Sequence, residues 1–312
     1  MSTMYKYVLK RLLWVIPILL GVSLIVFAIM HYSPGDPATL ILGESATPQA
    51  IAQLRSEMGL DQPFLIQYFK YIGNAFLKFD LGRSFVNNRP VFTEIMTRFP
   101  NTMKLAGYSI LLAAAVGIPL GVLAARKPYS AVDNGTMFVS LLGVSMPTFW
   151  QGLLLIIVFS LQLKWFPSTG FETWQQMVLP VITLASSSIG SIARITRSSM
   201  LDVMGQDFIR TAHAKGVSQR GVIYVHTLRN ALLPVVTVIG LQFGALLGGA
   251  VLTETVFSIN GLGTLMVNAI RQRDLIVVQG GVLFIAFIFT IVNLSVDILY
   301  GYIDPRIRSQ YK

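Results

Sequence analysis

Cysteine is absent from the 312 residues, which excludes disulfides and thiolate metal sites and leaves the redox compartment unspecified. Charge is scarce as well. Only 12% of residues are Asp, Glu, Lys or Arg, against about 25% in an average soluble domain. The three histidines, His31, His213 and His226, lie far apart and offer no metal-ligand spacing. No G-x-x-x-x-G-K-[ST] phosphate loop occurs, so the chain is not expected to hydrolyse ATP itself. A G-x-S-x-G nucleophile motif is missing too, and no catalytic residue is assigned. Acidic residues number 14 against 24 basic ones, a net charge of +10. In a soluble protein that excess would point to nucleic acid. Here the lack of charge elsewhere makes membrane orientation the better explanation, and no nucleic-acid partner is expected.

What is abundant is apolar: 54% of residues are hydrophobic and the mean hydropathy is +0.64. A helix needs about 20 such residues to cross a bilayer. Six uncharged runs qualify: Leu12–Met30, Leu105–Ala125, Gly135–Leu163, Met177–Ala193, Asn230–Leu252 and Leu275–Val296. The first follows Lys6, Lys10 and Arg11 and exceeds the ~7–15 apolar residues of a signal peptide, so it reads as a retained span. The third is too long for one straight span and carries Pro147 near its middle. Its second half, from about Ser145, is expected to cross fully and its first half to pack as a shorter helix. A charge at a span centre costs about 2.5–3.5 kcal/mol, and none of the six runs contains one. Glu254 and Asp297 fall at span ends, where an interfacial position is expected. Without intramembrane charge, an ion-coupled carrier is disfavoured.

Lysine and arginine collect in cytoplasmic loops. With the N-terminus inside, most of them fall on the cytoplasmic face, and the two short outer loops hold only Lys164, Arg271 and Arg273. Both termini are therefore expected inside. The chain divides into an N-terminal tail with the first span (1–31), an extracytoplasmic helical insertion (32–104), a five-span core (105–304) and a cytoplasmic tail (305–312). The fold class is an all-α polytopic membrane protein with six spans and a small helical domain between the first two.

Within the insertion, Ser33–Pro34–Gly35–Asp36–Pro37 is a turn cluster. Thr47–Pro48 reads as an N-cap with proline at the first helical position, and Gly59 closes that helix. Asp61–Gln62–Pro63 opens a second helix, and a third is expected from Pro90 to Phe99. Such a domain either braces the spans or receives cargo from a delivery protein. In the core, Gly117/Gly121, Gly240/Gly244 and Gly244/Gly248 are small-residue pairs that favour close helix contact within the chain. Ser186, Ser187, Ser188, Gln242 and Asn268 offer neutral polar groups, so the fourth to sixth spans are expected to line a path.

The loop 194–229 carries the strongest signal. A short helix through Arg210, Thr211, Ala212, His213, Ala214 and Lys215 is expected to end at Gly216, which takes the left-handed conformation at little cost. Ser218 then caps a helix running toward Arg229. The segment Arg210–Gly216 resembles the cytoplasmic signature of permease subunits in binding-protein-dependent ABC importers. Arg210 replaces the usual glutamate, and Arg229 stands where proline is usual. Both departures, with Leu228-Arg229-Asn230-Ala231-Leu232-Leu233-Pro234, are similar to the peptide-transport branch. Further matches are Pro34-Gly35-Asp36-Pro37, Gly59-Leu60-Asp61-Gln62-Pro63, Gly261-Leu262-Gly263 and Asp304-Pro305-Arg306. Their order resembles the first (B-type) permease of dipeptide, oligopeptide, nickel and glutathione importers.

The resemblance implies a type I importer permease fold in a bacterial or archaeal plasma membrane. It implies a second, homologous permease, two ATP-binding cassette subunits that hold ATP and Mg, and an extracytoplasmic solute-binding protein. This chain would hold no cofactor or metal. Arg210, Thr211, Ala212, Ala214, Lys215, Gly216 and Arg220 would form the ATPase-coupling element, the alanines permitting close approach and the basic residues pairing with acidic groups.

Overall fold

The computed structural model describes residues 2–32, 36–43 and 46–303. The Ser33–Pro34–Gly35 part of the turn cluster and the terminal Asp304-Pro305-Arg306 match lie outside the described residues. Among the described residues all regular elements are helical. They run α1 Ser2–His31, α2 Pro37–Leu42, α3 Pro48–Glu57, α4 Phe64–Leu77, α5 Val91–Arg126, α6 Ala131–Ser145 and α7 Thr148–Leu155. Helix α7 continues as a π-helix over Ile156–Gln162, and α8 Trp174–Met204, α9 Asp207–Ala214 and α10 Gln219–Gly221 follow. A second π-helix, Val222–Leu228, then leads into α11 Arg229–Gly249, α12 Val251–Val256, α13 Leu262–Arg271 and α14 Leu275–Ile303.

Five of these elements are long and apolar enough to cross a bilayer, and a sixth span results if α6 and α7 count as one broken crossing bent by 102°. The break follows from Pro147. Met146 must adopt extended geometry before a proline and does so at φ −79°, ψ 130°. Helix formation therefore stops at Ser145 and restarts at Thr148.

The sequence anticipated a separate helix over Pro90–Phe99. That stretch is instead the first turns of α5, which runs unbroken for 36 residues. Pro90 sets the start, whereas Pro100 is carried inside the helix. The caps of the insertion form as the residues predict. Thr47 accepts the Ala50 N–H with Pro48 in the first turn, and Gly59 closes the segment at φ +68°.

The core sits where α5, α8 and α11 meet, around Leu105, Ile110, Leu179, Ile192, Val235 and Phe257. Helices in lipid gain no hydrophobic drive from meeting each other, so they associate through close van der Waals packing. A Cβ placed on Gly121 would fall 2.6 Å from the Ala193 carbonyl oxygen. Gly117 meets Ile189 and Ile192 of the same helix, and Gly240 and Gly244 meet Val296 and Phe289 of α14. All these contacts lie within the chain. By contrast α1 is peripheral and leaves Leu13, Ile16, Ile25 and Ile29 exposed.

Candidate functional site

Helix α8 carries the chain 31 residues without interruption to Met204, and α9 follows after Gly205–Gln206. Helix α9 is amphipathic. Ile209 and Ala212 are buried and pack with Val222 of the second π-helix, flanked by Val203 and Val217. Arg210, Thr211, Ala214, Lys215, Gly216 and Arg220 are exposed, as is Phe208 at 46%. Ala212 thus differs from its expected place. It faces this chain, and its small side chain lets α9 lie close on Val222. The Arg210–Asp207 ion pair, 3.6 Å apart and solvated on both sides, contributes little to stability.

The end of α9 is a complete Schellman motif. Gly216 N–H donates to the His213 carbonyl at 3.0 Å, and Val217 N–H to the Ala212 carbonyl at 3.2 Å. Gly216 sits at φ +78°, and an added Cβ there would meet nothing within 4 Å. The glycine is therefore required by backbone conformation and not by crowding within the chain. Two residues on, the Ser218 hydroxyl accepts the Gly221 N–H and caps the next helical stretch.

Two buried polar clusters tie neighbouring elements together. On the first, Asp133 is 1% exposed and grips Arg197 of α8 bidentately, with N···O distances of 2.5 and 2.6 Å. Asp133 also accepts the N–H of Tyr129, which stands at φ +61°, and Ser130 caps α6 beside it. The pair ties the turn between α5 and α6 to the last turns of α8, directly before α9. From sequence, Arg197 falls within the loop expected over 194–229. The Ser130-x-x-Asp133 spacing, close to a capping box, was the available signal for the other half.

On the second, Glu254 was expected at an interface and is fully buried. It accepts the Thr102 hydroxyl at 2.6 Å and the Thr264 N–H at 3.0 Å, while Thr102 itself accepts the Leu262 N–H. The carboxylate thereby closes the start of α13, whose free N–H groups favour an anion. Burial pushes the Glu254 carboxyl above its usual range, against the bonds from Thr102 and the backbone. The Gly261-Leu262-Gly263 run explains itself here: side chains at either glycine would collide with this carboxylate.

The polar residues expected along a path separate. The Ser186 hydroxyl lies within donating distance of Gln151 Oε1 at 2.5 Å and of the Thr183 carbonyl at 2.9 Å, and its approach to Gln151 is a partnership between α7 and α8 that sequence reading missed. Ser187 is half-buried. Ser188 is enclosed, with its hydroxyl unpartnered. Gln242 is half-buried on α11 and Asn268 exposed on α13. Among the described residues, no cluster of three or more His, Cys, Asp or Glu forms a metal-binding group.

Residues 117–309 match the family described as binding-protein-dependent transport system inner membrane component. Residues 4–106 match the companion family of the N-terminal part of such membrane components. The chain is 43% identical to a dipeptide transport system permease protein of Alkalihalophilus pseudofirmus, over 98% of its own length and 100% of the relative's. It is 45% identical to a glutathione transport system permease protein of Escherichia coli K12, over 98% and 99%. Among solved structures, the methionine ABC transporter MetNI in inward-facing form matches with TM-score 0.55 at 16% identity, covering 67% of this chain and 96% of the other. That likeness concerns the fold, which is that of an ABC-transporter permease.

Proposed function

Since the chain belongs to the binding-protein-dependent transport system inner membrane components, a family of membrane-embedded permease subunits of ABC importers, we propose that it forms half of a translocation path for di- or oligopeptides. An extracytoplasmic solute-binding protein delivers the peptide. A second, homologous permease completes the path. Two ATP-binding cassette subunits, which hold ATP and Mg, drive the cycle, and both termini of this chain lie in the cytoplasm.

The observation that carries the coupling role is the exposed Schellman bend at Gly216, set between two spans and flanked by Arg210, Lys215 and Arg220. Helix α9 docks with Phe208 and its basic face in a groove of the ATPase. Closure of the ATPases moves α9, and the Asp133–Arg197 pair passes that displacement from α8 to α6. Peptide cargo is supported by the name of the dipeptide relative. The glutathione relative makes glutathione the competing cargo.

The test is copurification followed by reconstitution. Cross-linking through a cysteine at Thr211 should trap an ATPase subunit, and proteoliposomes with the binding protein should take up dipeptide only with ATP. Uptake by this chain alone would overturn the proposal.

A further inference from the structure

Helix α4, Phe64–Leu77, lies in the insertion expected to be extracytoplasmic, yet its surface is not that of a soluble helix. Three stripes run along it, and the exposed Ile66 and Leu77 lie between the second and the third. Phe64, Tyr68, Tyr71 and Ala75 follow one i, i+4, i+7, i+11 row. Tyr68 and Ala75 of that row are buried, and Phe27 of α1 meets Phe64 and Tyr68 edge-on and stacks on Tyr71. Gln67, Lys70 and Asn74 form a polar row. On the side opposite that polar row, Leu65, Phe69 and Phe76 stand 60%, 67% and 38% exposed. A water-facing domain gains nothing from such a row.

The depth of α4 identifies its solvent. The Tyr68 hydroxyl donates to the Leu20 carbonyl at 3.0 Å and lies 3.0 Å from the Ser23 hydroxyl. Leu20 falls within the apolar span Leu12–His31. At 1.5 Å per residue, it lies about 16 Å along α1 from His31. Part of that distance is the length of the tyrosine side chain, so the α4 backbone at Tyr68 lies below the outer end of α1, while Phe64 packs beside His31 and Tyr32 at that end. Helices with one apolar and one lysine-bearing polar face settle about 5–10 Å into the headgroup boundary. On the face of α1 turned away from α4, Ile25 and Ile29 are exposed as well.

We propose that α4 is an interfacial membrane helix, laying Leu65, Phe69 and Phe76 into the acyl chains of the outer leaflet and turning Gln67, Lys70 and Asn74 to water. Pinned to α1 by Tyr68 and to lipid by its apolar row, it fixes the height of the insertion above the bilayer. The polar row lines a cavity of about 800 Å³ shared with α3 and the start of α14.

The chain has no cysteine, so single-cysteine variants carry no background from this polypeptide. In intact cells, Asn74→Cys should react with a membrane-impermeant maleimide, while Phe69→Cys and Phe76→Cys lose that labelling and regain it in detergent. A benzophenone amino acid at position 69 should yield phospholipid adducts. Equal labelling of Phe69→Cys and Asn74→Cys in cells would overturn the proposal. So would an unlabelled Asn74→Cys, or a protein adduct at position 69, which would mean that a polypeptide and not lipid covers the row.

Discussion

Replacing Gly216 in turn by asparagine, alanine and valine separates the two physical roles a glycine can have at a docking bend. Within the chain an added side chain meets nothing within 4 Å, and only the backbone at φ +78° resists it. An L-residue in that region costs about 1–2 kcal/mol. Asparagine costs less, because its side chain bonds locally, and a β-branched residue costs more. One or two kcal/mol is a factor of roughly 5–30 in the population of the formed turn. If turn geometry governs coupling, ATP-driven dipeptide uptake in proteoliposomes should rank Gly above Asn, Asn above Ala and Ala above Val. Membrane levels of the chain should stay constant, because α8 and α11 are untouched. Unchanged uptake in Gly216→Val would refute the reasoning. Asn falling below Ala would refute it differently, by showing that volume at the interface and not backbone conformation sets the rate.

Arg197→Ala should destabilise by about 3–5 kcal/mol, because it strands the buried Asp133 carboxylate. Asp133→Ala should cost less, since Arg197 retains 21% exposure and can reach water. The double variant should recover part of the loss in thermal unfolding of the purified transporter. Gly121→Val should lower stability by at least about 1–3 kcal/mol through overpacking against α8, seen as reduced assembled complex. Glu254→Ala leaves the Thr102 and Thr264 donors unpaired and should harm folding more than Glu254→Gln, measured by protease resistance. The raised pKa of Glu254 means that the native chain holds its proton to higher pH than the unfolded chain. Its contribution to stability therefore falls as pH rises through that raised pKa, and Glu254→Gln should remove this dependence in pH-resolved melting curves.

The spans were legible because long uncharged runs have few alternatives to crossing lipid, and the α9 bend because Gly216 and Ser218 carry their own local signals. The α6–α7 break could be read from Pro147. Joining of Val91–Phe99 to α5 could not, since Pro100 looks like a boundary and is tolerated only once tertiary packing holds the helix. Glu254 escaped because its partners, Thr102 and Thr264, are remote or unremarkable in sequence, and burial of a carboxylate depends on their meeting. Arg197 was misread for the same reason: Asp133 lies 64 residues away. The inward turn of Ala212 depends on Val222 packing beneath it, which no local pattern encodes.

The π-helix Val222–Leu228 lies between the Gly216 bend and α11. Its turns each hold more residues than α turns. Re-registering one residue of it to α spacing would rotate everything beyond by about 100° with only about 1.5 Å of axial travel. Were it re-registered in that way, a short stroke at the cytoplasmic surface would turn into a twist of the fifth span, as a screw thread converts travel into rotation.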